Sequence, residues 1–165
     1  MAWSVRKVDR RVSWVIYLIL CVMVTWAGSG LINYCLEYKF YRKYLLAWES
    51  AGIRLANKEI NWPRFDGTNH DQYMREIVNK MEADGIMPPL SNTDLPYTYT
   101  LERLWGKKEK VFILLFPDKM IIYGLSRRTF EKIDRYVDGC VDLQTGKVEG
   151  KQGKDESTII CIWRI

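Results

Sequence analysis

Histidine is nearly absent from this chain: His70 is the only one in 165 residues, alongside four cysteines. The usual zinc frameworks need paired cysteines or histidines at short spacing, and no such pair exists here. A nucleophile, base and orienting group would have to be built on His70 alone. It lies in "NWPRFDGTNH" (61–70), a loop punctuated by Pro63 and Gly67, where a solvated imidazole is the simplest expectation. Phosphate-cradling loops are missing too, since neither "GTNHDQ" nor "GKKEK" has the required glycine spacing. A calcium loop begun at Asp138 fails at its third position, which is Cys140, although Glu149 stands at the twelfth. No cofactor and no metal is expected, and an enzyme is the minority reading.

Charge is missing from one long stretch. From Ser13 to Leu36 the sequence reads "SWVIYLILCVMVTWAGSGLINYCL", longer than the roughly 20 residues a helix needs to cross a bilayer core. Arg11 closes it on one side and Glu37 on the other. Trp14 near one end, and Trp26 and Tyr34 toward the other, suit the lipid–water boundary. "TWAGSG" offers the small residues of a signal-peptidase site. The apolar character nevertheless continues through Leu31, Ile32 and Leu36, which favours a retained anchor over a cleaved signal.

Arg6, Lys7, Arg10 and Arg11 precede the stretch with only Asp9 against them, and carry most of the net charge of +5. Basic residues flanking a span stay in the cytoplasm, which places the N-terminus inside and the bulk of the chain in the periplasm or outside the cell. The remainder is close to neutral, so no nucleic-acid partner is expected.

Beyond the span the chain divides into a helical stem over 37–60 and a domain over 61–165, after the basic segment 1–12 and the transmembrane helix 13–36. In the stem, Phe40, Tyr41, Tyr44, Leu45 and Trp48 recur at helical spacing. They form either the packed face of a helix on its own domain or an interaction face toward neighbouring subunits. Gly28 and Gly30 are places where such a long helix can bend.

"DQYMREIVNKMEADG" predicts a short helix with Tyr73, Ile77 and Met81 inward. From Tyr97 the period becomes two: "YTYTLERLW", "VFILLF" and "MIIYGL" predict a three-stranded meander. "SRRTFEKIDRYVDG" predicts a helix capped by Ser126 and ended by Gly139, with Asp134 and Asp138 in a surface charge network. "CVDL" with "KVEG", and then "TIICIWRI", predict terminal strands with solvent-facing acids between them. Cys140 and Cys161 flank these strands, and in an oxidising compartment they are expected to form a disulfide. The fold class is α+β: a transmembrane helix continuing into a stem, then an exported antiparallel sheet with two short helices.

This layout resembles that of type IV pilins and pseudopilins, on residues 13–58, strands 97–125 and the Cys140–Cys161 segment. It is a likeness of plan and not of motif, since Gly30–Leu31 is followed by Cys35 where pilin processing sites have Glu. The resemblance implies a single-span structural protein of a pilus-like filament, secretion machine or other envelope assembly. Its partners would be membrane lipid and other membrane or filament subunits, including copies of itself. An accessory subunit of a membrane enzyme complex, or an anchored binding module using the 61–71 loop around His70, are the other readings.

Overall fold

The computed structural model describes residues 2–58, 61–154 and 157–165, and the side chains of 2–9 and Arg11 lie outside that description. Of the basic residues assigned an orienting role, Arg6, Lys7 and Arg11 therefore fall outside it, and Arg10 is exposed. Helix α1 runs Ala2–Lys39 and passes through a π-helical segment, Phe40–Leu45, into α2, Leu46–Ala56. The remaining elements are α3 (His70–Ala83), β1 (Thr98–Leu101), β2 (Glu109–Leu115), β3 (Lys119–Leu125), α4 (Arg127–Asp138), β4 (Val148–Gln152) and β5 (Ile159–Arg164). The chain is α+β, as its changes of periodicity imply.

The strands form one five-stranded antiparallel sheet in the order β1-β2-β3-β5-β4. The terminal strand is thus not the outer half of a separate pair. It lies between β3 and β4, with Ile122 and Gly150 both opposite Cys161.

Alternation along the strands sends Val111, Ile113 and Leu115 of β2, Met120 and Ile122 of β3, and Cys161 and Trp163 of β5 to one face. All are buried. Onto this face pack the π-helical segment, α2 and α4. Phe40 meets Tyr99 at 5.0 Å between ring centres, and Tyr41 meets Trp163 at 6.2 Å. At Gly52 the helix approaches so closely that a Cβ would stand 2.8 Å from the Leu115 side chain.

The stem aromatics are therefore core. Phe40, Tyr44, Leu45 and Trp48 are at most 2% exposed, and Tyr41 is half-buried against Tyr136 and Trp163. As an interaction face toward other subunits this set is corrected: its own domain covers it. The expected flexible points, Gly28 and Gly30, lie in continuous helix with open space where a Cβ would be. The departure from α-geometry comes later, at Phe40–Leu45, where the helix passes from exposed to buried. A π-turn changes the angular phase of the residues beyond it, and here it lets Phe40, Tyr44, Leu45 and Trp48 all reach the core.

Helix α3 closes the sheet where β1 has not yet begun. Tyr73 donates its hydroxyl to the Leu115 carbonyl at 2.9 Å, and the Leu115 N–H points to Met74 Sδ at 3.3 Å. Two strand groups that β1 is too short to reach are satisfied this way.

Helix α4 has the expected ends. Ser126 Oγ accepts from the Thr129 N–H, and Gly139 takes the left-handed conformation at φ 77°. The segment after α4 departs from expectation. Residues 141–147 are not a strand, because their backbone is engaged by carboxylates: Asp142 N–H donates to Asp134 Oδ2 at 2.8 Å, and Gln144 N–H donates to Asp142 Oδ1 at 3.0 Å. The acids of this stretch brace a turn and do not simply face solvent. Asp134 is wholly buried and so is no part of a surface charge network.

The expected Cys140–Cys161 disulfide is also corrected, since both cysteines are free. Cys161 points from a central strand into the core, whereas Cys140 sits exposed in the turn after α4.

Candidate membrane anchor and its docking site

From Val12 to Ile32 the large apolar side chains of α1 are exposed all round: Trp14 is 69% exposed, Leu18 65%, Trp26 80% and Leu31 65%. The apolar run occupies one helix long and apolar enough to cross a membrane, and its most apolar window buries nothing against the rest of the chain. Two of its hydroxyls bond within the helix. Thr25 Oγ1 donates to the Cys21 carbonyl at 2.7 Å, and Ser29 Oγ to the Trp26 carbonyl at 2.8 Å. Hydroxyls satisfied this way carry no unmet demand for water.

Where the apolar run ends, the helix is bound to the domain. Asn33 Oδ1 accepts from the Leu104 N–H at 2.7 Å, while Asn33 Nδ2 donates to the Leu104 carbonyl at 3.2 Å. An amide side chain thus stands in for a neighbouring strand. The strand in "YTYTLERLW" stops at Leu101, four residues short of the expected end, because its register with β2 closes there opposite Glu109, and Leu104 in the connection pairs with the helix instead.

One turn further, Glu37 is 8% exposed and bonded to both Arg103 Nε (3.1 Å) and Lys132. Arg103 also reaches Glu109 and the Thr129 hydroxyl. Glu109 in turn accepts from Ser126 N–H at 3.0 Å and Thr129 Oγ1 at 2.8 Å. Burial on its own would raise the Glu109 carboxyl, but these hydrogen bonds and the Arg103 guanidinium outweigh it and hold it below the usual range. The foot of α1, the β1–β2 loop, β2 and α4 therefore share one buried ionic network.

Sequence reasoning missed this network. Glu37 registered only as the charge ending the apolar run, and Arg103 as part of a strand. Of the proposed interface anchors, Trp14, Trp26 and Tyr34 are all exposed, and Tyr34 stacks on Tyr38 at 6.2 Å between ring centres.

The His70 loop is held by ring packing and by its own hydrogen bonds. His70 stands edge-on to Phe65 (5.2 Å) and Tyr123 (6.0 Å), with Nδ1 3.3 Å from the Thr68 carbonyl. Asp66 is taken up by the backbone, accepting from Thr68 N–H at 2.8 Å and Asn69 N–H at 2.9 Å. These bonds lead the chain into α3 and hold the Asp66 carboxyl below its usual range. Asp71 is held by Tyr97 (2.5 Å) and Arg75 (2.7 Å). Among the described residues, no group of three or more metal-ligating side chains converges.

Fold and site together define a small α+β domain carried on, and locked to, a long exposed apolar helix. No family model, curated protein or solved structure matches the chain.

Proposed function

We propose that this chain is a single-span, membrane-anchored interaction protein that works without catalysis as a component of a pilus-like filament, secretion or other envelope assembly. The supporting observation is the pairing of an unburied apolar helix with a buried ionic clamp at its foot. An anchor that merely tethers needs no such clamp. A helix held at a fixed angle to its domain transmits orientation, which an assembly of repeated or partnered subunits requires.

In this reading the basic N-terminus is cytoplasmic and the α+β domain lies on the opposite side. Neighbouring subunits and lipid contact the exposed side chains between Val12 and Ile32, while the Phe40–Trp48 aromatics hold the domain together from within.

The test is extraction of the full chain from membranes in mild detergent, followed by mass determination and identification of co-purifying proteins. Recovery in a higher-order complex with itself or with other structural subunits supports the proposal. A stable solitary monomer overturns it, and co-purification with a cofactor-bearing protein replaces it with an accessory role in a membrane enzyme.

A further inference from the structure

The sheet register places several loops at one end of the domain. Leu101 of β1 lies opposite Glu109 of β2, Leu125 of β3 opposite Ile159 of β5, and Gln152 of β4 opposite the same Ile159. The β1–β2 loop, the start of α4 and the β4–β5 loop therefore share the end at which Asn33 fastens α1.

Beside that fastening point the β1–β2 loop lies against the helix. Leu104 and Trp105 line an open groove with Cys21, Val22, Thr25, Trp26, Ser29 and Arg128. The helix side of this groove runs roughly 6–18 Å below Asn33 at the rise of an α-helix, and Trp105, next in the chain to the Leu104 that Asn33 holds, stands at its upper end.

We propose that Leu104 and Trp105 form a second membrane contact, seating the Trp105 indole in the phospholipid interface of the leaflet through which α1 passes. This rests on the membrane reading of α1 given above. Trp105 is 84% exposed and Leu104 41%, an apolar pair presented outward on a loop that a packed domain would ordinarily turn inward. Trp105 also has φ 65°, a left-handed conformation rare for a bulky aromatic residue. The two hydrogen bonds between Asn33 and Leu104 hold the preceding residue, so the strained backbone fixes where the indole leaves the loop.

Charge complements this placement. Arg128 lines the same groove, and Lys107 lies exposed two residues past the indole; neither has an acidic partner among the described residues. Lys108 beside them is paired with Glu102. Tryptophan at the boundary with unpaired cations beside it matches the headgroup layer of an anionic leaflet. Trp26, 80% exposed, lines the same groove about 10 Å further along α1 and supplies a second indole.

The full chain is reconstituted into vesicles of phosphatidylcholine and phosphatidylglycerol whose acyl chains are brominated, and tryptophan quenching is compared with that of Trp105→Phe, Trp26→Phe and Trp14→Phe. The expected result is that Trp105→Phe loses part of the quenched intensity, with the lost share greater for shallow than for deep bromines. If Trp14→Phe or Trp26→Phe lowers the quenched share while Trp105→Phe leaves it unchanged, α1 is inserted and this proposal is overturned. If none of the three changes it, the membrane reading of α1 falls and takes the proposal with it. A photoreactive benzophenone residue at position 105 provides a second measurement: cross-links to lipid support the proposal, and cross-links to a protein partner overturn it.

Discussion

Arg103 and Glu37 lie 66 positions apart in sequence and 3.1 Å apart in space, each with a side chain roughly 10% exposed. Arg103 is also the cation that Glu109 faces, so one guanidinium answers two buried carboxylates. Replacing Arg103 with Met leaves Lys132 to neutralise Glu37 and only neutral donors at Glu109. Breaking a buried pair from one side typically costs about 3–5 kcal/mol. Denaturant unfolding of Arg103→Met in detergent is expected to show a loss of that order. A loss below about 1 kcal/mol, the scale of a surface pair, would mean that the clamp does not bind helix to domain.

Asp134 gives a pH-dependent prediction. It is fully buried, Oδ2 accepts from the Asp142 N–H, and Oδ1 has no partner. Burial pushes its carboxyl above the usual range and the Asp138 charge adds to this, against the lowering effect of the Asp142 hydrogen bond. The folded state thus favours the protonated acid. Its stabilising contribution is complete below the ordinary aspartate range near pH 3.9 and is lost as pH rises through the raised folded value. Asp134→Asn, always neutral, is expected to stabilise the protein at neutral pH by about 1–2 kcal/mol, the scale of an unmet buried polar atom. Near pH 3, below that range, the gain should vanish. Equal effects at both pH values would show that the ionised form is not what costs stability.

Some of this was legible in the sequence. Ser126 and Gly139 mark the ends of α4 because capping is local chemistry, and Tyr73, Ile77 and Met81 mark the inner face of α3 because helical spacing is local too. The strands over 111–116 and 120–125 were visible for the same reason, although β2 begins two residues earlier, at Glu109, and ends at Leu115. What escaped depends on partners distant in the chain. Nothing near Leu104 tells that Asn33 will complete its pairing, and nothing near Asp134 tells that Asp142 will fold back onto it. The place of β5 between β3 and β4 is likewise decided by sheet closure and not by its own residues. The stem aromatics allowed two readings because helical spacing says that a face is apolar without saying what covers it.

Gly124 is expected to tolerate no side chain. It has φ 82° at the irregularity between Ile122 and Leu125 where β3 slips against β5, and a Cβ there would stand 2.0 Å from the Lys110 carbonyl oxygen. That neighbour is backbone of the adjoining strand and cannot swing away. Gly124→Ala must therefore pry β2 from β3 or flatten the irregularity. It is expected to cost about 3 kcal/mol or more, beyond the typical range for single substitutions. Thermal unfolding compared with Gly139→Ala separates the two causes of strain, since Gly139 shares a positive φ but has open space around it. Similar losses in both would remove the steric argument.

The two cysteines of the domain should behave oppositely toward thiol reagents. Cys161 is wholly buried in β5, and that burial pushes its thiol well above the usual range, with the nearby Asp134 charge adding to the effect. Thiolate is the reactive form, so both access and ionisation protect it. Cys140 lies exposed in the turn after α4. Maleimide labelling of the folded, unreduced protein followed by peptide mapping should modify Cys140 at least about tenfold faster than Cys161. Denaturant should bring the two rates together, since unfolding removes both forms of protection. A Cys140–Cys161 cross-linked peptide in the unreduced sample, or equal labelling in the native state, would mean that β5 does not hold its cysteine inside the core.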